Sequence, residues 1–189
     1  MAIEEAKYAL VYQDGSFEVR DYDAYLLAEV VVESTFEEAG SKAFRSLFKY
    51  ISGENLPQDE ISMTAPVSQK RTGEEIAMTA PVSQRYTNNK YVISFMMPAK
   101  YTQQSIPQPS DPAVSIRHVS PQRMAVVKYS GFWSKSSYEK NRQSLDAWIQ
   151  TQELEVTGEY IWARYNAPFS LWFMRRNEIM LPVMNKTEP

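Results

Sequence analysis

The chain has no cysteine among its 189 residues and a single histidine, His118. The first absence excludes disulfides, thiolate metal ligation and cysteine nucleophiles. The second excludes a multi-histidine metal centre and leaves no imidazole at a spacing that would identify a hydrolase triad. In VSIRHVS, His118 reads as an exposed or hydrogen-bonded strand residue, with proton transfer and one-sided metal ligation as its alternatives. No G-x-S-x-G, G-x-G-x-x-G or G-x-x-x-x-G-K-[ST] element occurs, so a nucleophile elbow and the usual nucleotide-binding nests are missing. No stretch approaches the ~18 uninterrupted apolar residues of a membrane span. The start, MAIEEAKYALVYQDG, lacks the basic segment and apolar run of a secretory signal, and a cytoplasmic protein is expected. Neither charge sign dominates: 23 acidic and 20 basic residues are scattered, with a formal charge of −3, which leaves no basic stripe for nucleic acid. Nor does a Ser/Gly-rich linker or charge block divide the chain, so residues 1–189 read as one domain.

What the chain does have is a near-copy, with ISMTAPVSQK at Ile61–Lys70 returning as IAMTAPVSQR at Ile76–Arg85. Alternation places Ile61, Met63, Ala65 and Val67, and again Ile76, Met78, Ala80 and Val82, on one side of an extended chain. The spacing predicts adjacent antiparallel strands over Ile61–Gln69 and Ile76–Gln84, joined by a turn at Lys70–Glu75, with Met63 and Met78 inward and an interruption at each proline.

Around this pair, Phe17–Tyr22 and Tyr25–Glu33 read as strands. A helix follows, started by Ser34 or Thr35, with an apolar face of Phe36, Ala39, Ala43, Phe44, Leu47, Phe48 and Ile51 and a stop at Gly53. Tyr91–Met97 is another strand. The order then repeats: strands at Val114–Val119 and Met124–Tyr129, a helix from Ser134 or Ser136 to about Gln152, and strands at Glu159–Tyr165 and Glu178–Val183. Two strand, strand, helix, strand modules sharing one sheet, with the helices outside it, give an α+β protein.

No enzyme chemistry is expected from these residues. The first helix supports a binding role: Lys42, Arg45 and Lys49 recur at spacings of three and four beside the apolar row. Their stems can lie along apolar surface while their heads meet anions, which suits a planar apolar ligand carrying carboxylates; the alternative is a merely solvated flank. The methionines read as core filling, with a ligand pocket as the alternative, and Thr64 and Thr79 as sheet or turn hydrogen-bonders. In YNAPFSLWFMRRNEIMLPV, Arg175, Arg176 and Glu178 lock the final strand or rim a pocket.

Taken in order, FEVRDY (Phe17–Tyr22), FEEAGSKAFRSLFKYISGEN, IAMTAPV with its preceding near-copy, VISFMMPAKY (Val92–Tyr101), ARYNAP and RRNEIMLP (Arg175–Pro182) resemble the SOUL haem-binding protein family over about four-fifths of the chain. The resemblance implies a distorted antiparallel β-barrel of two pseudo-repeated halves, flanked by two long helices. It also implies non-enzymatic binding of haem or a related tetrapyrrole, as a buffer or carrier. By the same resemblance Phe44, Leu47 and Phe48 contact the macrocycle, and Arg45, with Lys42 or Lys49, meets its propionates. A ligating histidine proposed for part of the family lies in the early sheet, where this sequence has none, so haem is expected without a protein axial ligand. The expected partner is a hydrophobic carboxylated small molecule, the expected state a monomer. The competing readings are an effector-binding module for another hydrophobic small molecule and a tetrapyrrole-modifying enzyme.

Overall fold

A computed structural model describes residues 3–57 and 73–186. In chain order the strands are β1 (Tyr8–Asp14), β2 (Phe17–Tyr22), β3 (Tyr25–Val32), β4 (Asn55–Leu56), β5 (Val82–Thr87), β6 (Lys90–Met96), β7 (Gln108–Pro109), β8 (Val114–Val119), β9 (Gln122–Tyr129), β10 (Leu154–Val156), β11 (Ile161–Arg164) and β12 (Asn177–Asn185). The helices are α1 (Ala39–Ile51), after β3, and α2 (Lys135–Thr151), after β9.

Ten strands form one antiparallel sheet in the order β1-β2-β9-β12-β11-β5-β6-β3-β8, with β10 on the end of β12, while β4 and β7 pair separately. The two halves of the sequence interleave. β2 from the first half pairs with β9 from the second, and β3 pairs with β8, so each wing of the sheet draws on both halves. The short β11 joins the wings by pairing with β12 on one side and β5 on the other.

Both helices lie on one face. α1 turns Ala39, Ala43, Leu47, Tyr50 and Ile51 onto Ala28, Val30, Ile93 and Phe95 of β3 and β6. α2 packs Leu145, Trp148 and Ile149 on Val19, Val127, Ile179 and Leu181. Between them Phe36, just ahead of α1, stacks on Trp162 of β11 with ring centroids 4.8 Å apart and fills the seam. α2 begins as expected, with the Ser134 hydroxyl accepting from the Ser137 N–H at 3.2 Å. α1 begins later than its apolar pattern suggests: Thr35 Oγ1 accepts from the Glu38 N–H at 3.3 Å, capping a turn from which the helix proper starts at Ala39.

The expected barrel is not formed. β1 and β8, the two ends of the sheet, each pair with one neighbour and not with one another, whereas closure requires end strands to share a ladder. The sheet stays open, with β2 and β3, consecutive in the chain, lying in opposite wings. Residues Glu4 to Ala6 cross this gap as a strap. The Ala80 N–H donates to the Glu4 carbonyl at 2.9 Å, the Ala99 N–H to Glu4 Oε1 at 2.7 Å, and Arg176 to the Glu5 carboxylate at 2.9 Å.

The repeated segment also differs from expectation. Its first copy lies outside the described residues, and so does Met63. In the second copy the strand starts only at Val82, and β5 pairs with β6 and β11. Residues 76–81 are irregular: Ile76, Thr79 and Ala80 are buried, and Met78, expected inside, is 46% exposed. Backbone bonding explains the inversion. The Ile76 N–H donates to the Ile51 carbonyl at 2.7 Å, the Thr79 hydroxyl donates to the Met96 carbonyl, and Ala80 bonds the strap, so the segment is fixed by three separate partners rather than by a regular ladder.

Candidate functional site

α1 carries more apolar surface than the sheet beneath it covers. Its inward row ends in Leu47 and Ile51, whereas Phe44 and Phe48 point outward at 40% and 46% exposure. The two rings stack on each other at 5.7 Å, and Phe44 also meets the edge of buried Phe95 at 5.5 Å, which holds the pair against the sheet. The result is a flat aromatic surface, one turn of helix long, open to solvent. Leu47 is fully buried beneath it and supports the helix rather than forming part of the exposed surface.

The bases lie on one side of this surface. Arg45 is about 100° further round the helix than Phe44, with Lys42 and Lys49 beyond it. Lys42 pairs with Glu38 at 3.6 Å and Lys49 with Glu54 at 3.2 Å, both exposed, and such pairs are worth about 0–1 kcal/mol and exchange readily. Arg45 is exposed and has no ion-pair partner among the described residues.

On the other side of the aromatic pair stands a residue the sequence did not single out. Arg164, at the end of β11, lays its guanidinium against the bare Cα of Gly40 in the first turn of α1. A Cβ there would come within 2.9 Å of Nη2 and 3.2 Å of Nη1. The group is sandwiched by aromatic rings, 4.8 Å from the centroid of Trp162 and 5.3 Å from that of Trp133. Its Nε is buried with no hydrogen-bond partner, and no carboxylate pairs with it among the described residues. Burial pushes its pKa down to about 10. Only the tertiary arrangement reveals this, since nothing local in ARYNAP distinguishes an unpaired arginine from a paired one.

Beyond Trp133, Arg175 stacks on the same indole at 4.6 Å and donates to the carbonyls of Ser170 and Pro168, pinning the loop between β11 and β12. That loop exposes Phe169, Leu171, Trp172, Phe173 and Met174, and Phe132 stacks on Trp172 at 5.1 Å. Arg176 and Glu178 take the structural part expected of them: Arg176 Nε donates to Glu178 Oε1 at 2.9 Å at the start of β12.

His118 is elsewhere. It lines a groove of about 460 Å³ with Glu4, Glu5, Tyr25, Met97 and Tyr101, and none of the six residues expected at the α1 site borders that groove. Among the described residues no group of three or more His, Cys, Asp and Glu side chains could hold a metal ion.

The helix-free face of the sheet carries buried charge. Arg20 donates from Nη1 and Nη2 to Glu178 at 2.9 and 3.0 Å, from Nε to Glu18 at 2.6 Å, and from Nη1 to the Tyr22 hydroxyl at 2.7 Å. Lys128 completes the Glu18 carboxylate, and the Tyr165 hydroxyl donates to Glu178 at 2.8 Å. Each acid here is matched by bases, so the network ties β2, β9 and β12 together within one wing and leaves no carboxylate poised for proton transfer.

The family described as SOUL heme-binding protein matches residues 3–182. Heme-binding protein 2 of Mus musculus and that of Homo sapiens are each 31% identical over 182 residues, covering 94% of this chain and 82% of theirs. Among solved structures, one of an EcmrR–DNA complex superposes with a TM-score of 0.64 at 9% identity, over 89% of this chain and 57% of that one. A crystal structure of a hydrolase from Listeria innocua superposes with a TM-score of 0.58 at 11% identity, over 92% of this chain and 94% of that one. At such identities these two likenesses concern the fold alone. The match across nearly the whole chain, with the two relatives beside it, makes this chain a member of the SOUL heme-binding protein family.

Proposed function

We propose that the chain binds haem or a related tetrapyrrole on the outer flank of α1, as a buffer or carrier and without catalysing its chemistry. The observation that carries this reading is the stacked Phe44–Phe48 pair, held out of the core beside three basic side chains. A large planar macrocycle can cover both rings at once and withdraw their apolar area from water, a gain of roughly 25 cal/mol per Å². Its carboxylates then reach solvent-side bases, of which Arg45 has no competing acid among the described residues. Bound haem would supply the iron; the chain supplies the aromatic platform and the cations. No histidine lies on α1, and the His118 groove contains none of the platform residues, which supports binding without a protein axial ligand. Among the described residues no helix is long and apolar enough to cross a membrane, and cytoplasmic residence belongs to the proposal.

Titration of the protein with haem, followed at the Soret band, is expected to saturate at one equivalent. Replacing Phe44 and Phe48 together by alanine should weaken binding by about tenfold or more, since each buried aromatic contributes on the order of 1.5–3 kcal/mol. Replacing His118 should change little. Non-saturating uptake, or loss of binding on His118→Ala with the phenylalanine variant intact, would overturn the reading.

A further inference from the structure

We propose that Arg164 is the carboxylate anchor of the α1 site, and that it makes the site selective for tetrapyrroles with free propionates over their uncharged counterparts. The proposal rests on the reading of the α1 face given above and adds the group that recognises the ligand's charge.

Arg20, Arg85, Arg117, Arg123 and Arg176 all pair with carboxylates. Arg142 and Arg164 do not among the described residues, although the Nε of each is shut away from water, where an unmatched cation is most costly; Arg164 is the one that rests against α1. A half-buried guanidinium without a counter-ion is tolerable if an anion arrives with the ligand, and an arginine fork fits a carboxylate with two parallel hydrogen bonds. Lys42 and Lys49, by contrast, are exposed and already paired, so a carboxylate reaching them exchanges one weak surface pair for another.

Position makes the same point. Gly40 precedes Phe44 by four residues, so the guanidinium resting on Gly40 lies one turn from the aromatic pair and on nearly the same flank of α1. A flat ligand on Phe44 and Phe48 thus has Arg164 at one margin and Arg45 at the other. Indole rings of Trp133 and Trp162 hold the guanidinium in place before any ligand arrives, which limits the ordering cost of binding. Gly40 is what permits this placement, since any side chain there would displace the charged end.

The test compares haem with its dimethyl ester, whose propionates are capped, by Soret titration of the full chain and of the Arg164→Met, Arg164→Lys and Gly40→Ala variants, with near-ultraviolet circular dichroism to establish folding. Wild type should prefer haem to the ester by roughly tenfold or more, the scale of one charge-assisted hydrogen-bonded pair. Arg164→Met should remove most of the preference by weakening haem binding while leaving the ester unchanged, and Arg164→Lys should recover part of it. Gly40→Ala removes no charge and favours the helix, so it should stay folded, keep ester affinity and lose haem affinity; it carries the test if Arg164→Met does not fold. If the Phe44 and Phe48 double variant loses haem but Arg164→Met and Gly40→Ala retain wild-type preference, the platform stands and this proposal falls. If the double variant binds haem as wild type does, the platform and the anchor both fall.

Discussion

Arg20 and Glu178 are fully buried, and each is held by more than one partner: Glu18 and Tyr22 assist the arginine, Arg176 and Tyr165 the acid. Burial by itself would raise the Glu178 carboxyl, but the hydrogen bonds and charge of Arg20, with Arg176 and Tyr165, outweigh it and hold the group below its ordinary value. Glu18 behaves alike, with burial outweighed by Lys128 and Arg20. Removing one member strands the other, so Glu178→Gln should cost about 3–5 kcal/mol in urea unfolding; a loss under about 1 kcal/mol would show the pair to be energetically idle. The sign of the pH dependence follows from the lowered carboxyls. Their stabilisation is complete above the unfolded-state value of about 4.3 and is lost as pH falls through the lower folded values. Wild-type stability should therefore drop steeply below about pH 4, and the Glu178→Gln protein, already lacking one such group, should show a shallower fall. Arg164 is the contrasting residue, half-buried with aromatic rings about it in place of acids.

At the scale of elements, the second MTAPV copy illustrates what alternation can and cannot convey. Ile76 is 2% exposed and packs under α1, whereas Met78, two residues on and expected on the same side, is 46% exposed. Ile76→Ala should then cost about 2–5 kcal/mol in chemical unfolding, and Met78→Ala should stay within about 0.5 kcal/mol. Equal losses at the two positions would contradict the irregular path of this segment. Helices were more legible than strands because their capping and periodicity are local: Ser134 starts α2 as its sequence suggests, and the apolar row of α1 is real. That row turned out to be wider than the sheet beneath it, and periodicity could not tell inward Leu47 from outward Phe44. β1 escaped notice for a related reason, since all seven of its residues are exposed and no alternation marks them. Arg164 and Gly40 meet only through tertiary structure, so no spacing in the sequence announces them.

At the scale of the molecule, the α+β composition and the shared sheet could be read from the order of strand and helix patterns, whereas openness could not. Whether β1 and β8 meet depends on which strands pair across the wings, which no periodic segment records. Interleaving is equally hidden, and it argues against treating the two modules as separable. A fragment ending near Pro112 contains α1 with β3 and β6 but lacks β8, β9 and β12, leaving β2 without its inner neighbour. We expect fragments 1–112 and 113–189 to be unfolded apart by circular dichroism and to regain native signal only when mixed; a cooperative thermal transition in either alone would show that the wings fold independently.

The same interleaving sets a schedule for synthesis. β2 leaves the ribosome early, yet the strand that completes it, β9, follows about a hundred residues later, a wait of roughly five to twenty seconds at ordinary elongation rates. Throughout that interval the nascent chain displays an unsatisfied strand edge beside the apolar side chains of Phe17 and Val19. The vulnerable period for this protein is therefore its translation rather than its mature life, and chaperone demand should track the pace at which ribosomes travel from β2 to β9.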